Sequence, residues 1–172
     1  MKRLVFFKYF AYSILIILLY VLQATPNLMP EIFGSKPLLL VPFALSAASV
    51  EDKIPSLVFG AVCGVLTDIA SSGGVGYFAI ALTLLCYFEA HIFEAYFVPG
   101  VLSAFVYSAA SVTVLIMIYF LLFKVFAGIG NLGVLFVNHY ISRIVYTALM
   151  FIPICFLTRF IHNSFKKQQR IA

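Results

Sequence analysis

Charge is scarce in this chain. Only 10% of its 172 residues are Asp, Glu, Lys or Arg, against 64% that are hydrophobic. A water-soluble domain carries about 25% charged residues, so there is too little polar material here to clothe one, and lipid must solvate most of the surface. Catalytic and metal-binding groupings are scarce too. No histidine pair has metal-ligand spacing, and no serine–histidine–acid set can be assembled, so the expectation is a non-enzymatic protein without metal or cofactor. The three cysteines, Cys63, Cys86 and Cys155, all sit inside apolar runs and are expected as small packing residues with no disulfide. Tryptophan is absent while Phe numbers 19 and Tyr 10, an aromatic-rich lipid surface and not a cofactor box.

The net charge of +5 is not spread evenly. Lys2, Arg3 and Lys8 open the chain and Lys166, Lys167 and Arg170 close it. Basic clusters flanking apolar segments fit anionic membrane lipids and argue against nucleic acid as a partner. The start resembles a secretion signal, but its apolar stretch runs to Leu22 without a small-residue cleavage site, so it reads as a retained span.

What the sequence has in quantity is long apolar runs. A bilayer core about 30 Å thick takes roughly 20 helical residues, and only helices satisfy the backbone inside such runs. The pattern predicts one all-α domain over 1–172, a compact bundle of six transmembrane helices at about 5–23, 36–50, 54–71, 75–95, 99–126 and 133–162. Pro153 should bend the last of these. The second and third are short, which raises a re-entrant hairpin, but their turn is Glu51-Asp52-Lys53. Burying those charges in hydrocarbon costs roughly 2.5–3.5 kcal/mol for each acid or lysine, so the pair is expected to span, with the turn in water. Placing both termini in the cytoplasm puts most Lys and Arg on that side, and leaves Lys36 and Lys124 outside.

A few polar residues interrupt the greasy segments. Gly60, Gly64 and Asp68 recur every four residues, which sets them on one face of the third helix. The Gly60/Gly64 pair lets another helix come close, and the stripe should face protein. Asp68 ends that helix, where the dipole disfavours an anion. The following Ser71-Ser72-Gly73-Gly74-Val75-Gly76 can turn backbone N–H groups onto it, as can the start of the next helix. The expectation is a carboxylate clamp on the turn, with a proton or ion site as the alternative. Arg143, read as lying near mid-membrane, needs water or an acid. Glu89 is the expected ion-pair partner, with Asp68 as the other choice. A small ion-coupled carrier using Glu89 and Arg143 is a further reading.

Lys36, Pro37 and three leucines ending at Leu40, then Phe59 to Asp68 with its glycines, then Gly73 to Tyr77, together resemble the rod shape-determining protein MreD family of bacteria. The likeness covers about residues 36–90 and departs from the family at Lys36 and in the looser turn. It implies a bacterial inner-membrane, multi-pass scaffold of the cell-elongation complex. The implied partner is MreC. Through the complex it would reach MreB and the peptidoglycan synthases, a SEDS glycosyltransferase and a class B penicillin-binding protein. It also implies a bundle similar to the substrate-binding subunits of energy-coupling-factor transporters, which supplies the rival function: capture of a vitamin-like small molecule. Bulky residues on helix 1 in place of an alanine-spaced docking motif lower that rival. A lipid-facing groove beside the small-residue stripe is the expected seat for the partner's transmembrane helix.

Overall fold

A computed structural model describes residues 2–25, 37–71, 76–96, 100–122 and 142–171. The described residues are helical, with no strand. The helices are α1 (Lys2–Ala24), α2 (Leu40–Ala48), α3 (Lys53–Ser71), α4 (Tyr77–Tyr96), α5 (Val101–Phe120) and α6 (Ser142–Ile171). Five of them, all but α2, are long and apolar enough to cross a membrane. Their outer faces carry exposed Phe6, Phe10, Ile14, Ile80, Leu102, Phe156 and Phe160. A continuous apolar exterior of this kind is tolerable only in lipid.

The second segment departs from the expected 36–50. Its helix is only nine residues, all of them buried, about 14 Å at 1.5 Å per residue. Side chains of other helices take N–H groups at its start, which the helix itself leaves without partners. Leu38 N–H donates to Thr147 Oγ1 at 3.3 Å and Leu40 N–H to Gln23 Oε1 at 3.1 Å. With its flanks, the segment still carries the chain from the level of Gln23, at the end of α1, to Glu51, which meets Lys8 near the start of α1. It packs against α1, α3, α4, α5 and α6 and so forms the axle of the bundle. A segment with no lipid-facing side can be short and rich in small residues, because length and apolar bulk matter only where a helix meets acyl chains. Its hydroxyls are satisfied locally: Ser46 Oγ donates to Phe43 O at 2.8 Å and accepts from Thr158 Oγ1 at 3.1 Å.

Helices α3 and α4 make the closest pair. A methyl placed at Gly64 would lie 2.5 Å from Phe78 O and 2.6 Å from Ala79 Cα. One at Gly60 would lie 2.9 Å from Leu82 O and from Thr83 Cα. Cys63 and Cys86 are wholly buried beside this seam, and all three thiols are free. Tyr12, Phe43 and Phe59 knit α1, α2 and α3 with edge-on ring contacts at 5.3–6.3 Å. The helix α6 runs unbroken through Pro153 to Ile171, past the expected end at 162. Its expected first part, 133–141, and the end of the fifth helix, 123–126, lie outside the described residues.

Candidate functional site

Two polar centres sit at opposite ends of the bundle. The first is at Asp68. Its Oδ1 accepts from Phe78 N–H at 3.1 Å and its Oδ2 from Ala79 N–H at 2.9 Å. Those N–H groups belong to the first turn of α4, which has no partners of its own. A carboxylate from the end of one helix thus caps the start of the next, and the positive end of the α4 dipole compensates the unfavourable end of α3. Gly76 stands just before α4 with φ +93°, a left-handed backbone that glycine adopts without strain. Its carbonyl accepts from Ile80 N–H at 3.2 Å. Gly73 and Gly74 lie outside the described residues.

The Gly60/Gly64 stripe is closed. The backbone of α4 fills it, so these glycines pack a helix of the same chain and leave no seat there for a partner. What lies open is the other side of α3. Tyr9, Ser13 and Ile16 of α1 face Pro55, Val58 and Val62 of α3 across a groove of about 410 Å³. Ser13 Oγ donates to Tyr9 O at 3.0 Å, so the groove presents an apolar surface to whatever enters it.

The second centre lies in the turn expected to be solvated: Asp52 is exposed there, but the Glu51 side chain is not. The Glu51 side chain is only 4% exposed. Lys8 Nζ lies 2.6 Å from Oε1 and 2.7 Å from Oε2, Tyr12 Oη donates to Oε1 at 3.0 Å, and His162 Nδ1 meets Oε1 at 2.9 Å. Burial pushes the Glu51 carboxyl up, but the hydrogen bonds and positive charge of His162 and Lys8 outweigh it and hold the group below its ordinary value of 4.5. The carboxylate therefore staples α1 and α6 to the end of α2. Sequence reasoning missed it because charges in a short turn between apolar runs default to water. The one available signal was Lys8, a lone cation about one helical turn into an apolar run, which needs an acid at its own depth.

Beside Glu51 opens a cavity of about 290 Å³ between the ends of α2, α4 and α6. Asp52, Glu94, Arg159 and Asn163 line it with Glu51 and His162. Arg159 Nη2 donates to Gly100 O at 2.8 Å, tying α6 to the start of α5. Glu94 Oε2 lies 3.1 Å from Lys53 Nζ on an exposed rim.

The expected pair of Arg143 with Glu89 is not formed. Glu89, 4% exposed, accepts from Ser108 Oγ at 2.9 Å, and its other oxygen has no hydrogen-bond partner. Depth separates the two residues. Glu89 lies five residues before Glu94 at the cavity rim, whereas Arg143 lies sixteen residues before Arg159 at the same rim. At 1.5 Å per residue those are about 8 Å and about 24 Å from one face.

The fold and its two carboxylate staples define a class: among the described residues, five helices fit to cross a bilayer pack around a short buried one. Comparison with family models, with curated proteins and with solved structures found no match to the chain.

Proposed function

We propose that this chain is a non-enzymatic scaffold of the bacterial cell-elongation complex, of the MreD type. In this reading six crossings of the inner membrane leave both termini in the cytoplasm, and the chain binds MreC. MreB and the peptidoglycan synthases are reached through that complex. One observation carries the reading. The stretch that resembles the family, about 36–90, folds as one structural unit: the buried axle α2, the close-packed seam of α3 on α4, and the Asp68 clamp. The described residues among those that mark the resemblance hold shape, which is what a scaffold asks of them.

The groove between α1 and α3 is the seat assigned to the transmembrane helix of MreC. It is apolar, it faces lipid, and it lies on the helix that the rest of the unit holds fixed. Val58 and Val62 project from its α3 wall, 51% and 43% exposed. Val58→Trp and Val62→Trp should each reduce co-purification of MreC from membranes more than ten-fold and leave thermal unfolding of the isolated chain unchanged. Full retention of MreC by both variants removes the groove from the interface. Partner identification after pull-down from native membranes tests the broader assignment: MreC is expected, and a transporter coupling protein in its place would sink it.

A further inference from the structure

The cavity beside Glu51 has walls of opposite character. One wall is a single face of α6, where Arg159, His162 and Asn163 follow one another at helical spacing. The facing wall is acidic, with Asp52 from the turn after α2 and Glu94 from the last turn of α4. Glu51 is already engaged by Lys8 and His162. Glu94 leans on Lys53 at the open rim, while Asp52 is exposed and forms no ion pair. Phe93, Ala90 and Val50 supply an apolar floor. The space, about 290 Å³, is roughly ten times the share of one water molecule.

A cavity with a cation, Arg159, on one wall and two acids, Asp52 and Glu94, on the other favours a ligand that carries both signs. A simple anion is repelled by Asp52 and Glu94, and a simple cation by Arg159. A zwitterion satisfies both walls at once, and a partly enclosed site strengthens each contact relative to open water. Planar guanidinium groups suit phosphate oxygens, and carboxylates suit an ammonium. The cavity also lies toward the ends of α4 and α6, two of the helices long and apolar enough to cross a membrane.

We propose that this cavity binds an ammonium–phosphate zwitterion, the headgroup of phosphatidylethanolamine, with its phosphate toward Arg159 and its ammonium between Asp52 and Glu94. The same chemistry is offered by free phosphoethanolamine, and the test separates the two sources. The proposal does not depend on MreC or on the groove between α1 and α3.

The purified full chain in detergent is titrated with phosphatidylethanolamine, with phosphatidylglycerol, and with free phosphoethanolamine, and binding is read by native mass spectrometry and by thermal unfolding. One phosphatidylethanolamine should be retained in preference to phosphatidylglycerol by at least ten-fold. The double variant Asp52→Asn/Glu94→Gln should lose that preference while unfolding at an unchanged temperature without lipid, since Asp52 is unpaired and the Lys53–Glu94 pair is exposed. Retention of free phosphoethanolamine, abolished by the same variant and not matched by the lipid, keeps the zwitterion site and assigns the soluble source. Equal retention of both lipids, or a preference the double variant leaves intact, overturns the proposal.

Discussion

Replacing Gly64 by alanine adds one methyl group, and the structure gives it nowhere to go. The new Cβ would lie 2.5 Å from Phe78 O and 2.6 Å from Ala79 Cα, about 1 Å inside ordinary contact. Both neighbours are backbone, so no side-chain rotation relieves the overlap and α4 must move away. Overpacking of this kind costs about 1–3 kcal/mol. The same displacement pulls Phe78 and Ala79 N–H from Asp68, where they now lie at 3.1 and 2.9 Å. A hydrogen bond to a charged group contributes about 1.5–3 kcal/mol, and weakening two of them brings the expected loss to about 3–5 kcal/mol. The seam has a built-in reporter: Cys63 and Cys86 are fully buried along it. At 1.4 kcal/mol per factor of ten, a loss of 3 kcal/mol raises the open population roughly 150-fold, so maleimide labelling in mild detergent should accelerate by about two orders of magnitude. Val65→Ala, on the lipid face of the same helix, is the control and should label like the parent. If Gly64→Ala labels at the parental rate and unfolds at the parental temperature, the close approach of α3 and α4 is refuted.

Asp68→Asn replaces a carboxylate oxygen by an amide NH2 group that cannot accept from α4, and should destabilise the bundle by about 2 kcal/mol in denaturant unfolding. Glu51→Gln strands Lys8 and His162, 14% and 16% exposed, and should cost about 3 kcal/mol at neutral pH. The pH dependence follows from the lowered carboxyl: the stabilisation by Glu51 is complete above its ordinary value of 4.5 and is lost as pH falls below that through the folded value. Unfolding scans from neutral pH down to about pH 3 should therefore show a decline in the parent that Glu51→Gln lacks. Glu89→Gln keeps the bond from Ser108 and removes a buried carboxylate with an unpartnered oxygen, so stability should hold or rise; a loss above about 1 kcal/mol would contradict this environment. Because Arg143 and Glu89 do not touch, the losses from Arg143→Leu and Glu89→Leu should add, and rescue of one by the other would restore the expected pair.

Composition and hydropathy determined a great deal without coordinates. Too few charges for a water-facing surface, together with apolar runs of span length, leave a helical bundle in lipid as the only way to satisfy the backbone. The four-residue spacing of Gly60, Gly64 and Asp68 put them on one face, because a helix repeats on that scale wherever it is placed. What the sequence could not supply was which helix met that face, since glycine permits approach without naming the neighbour. Tertiary packing decided that α4 fills the seam and that α2 is an interior axle. It also decided that Glu51 is a buried hub: Lys8 and His162 lie 43 and 111 residues from it in sequence, and no local pattern encodes that meeting. Arg143 and Glu89 show the converse. A compatible depth was inferred by counting residues along separate helices, and the offset between those helices is set by packing alone.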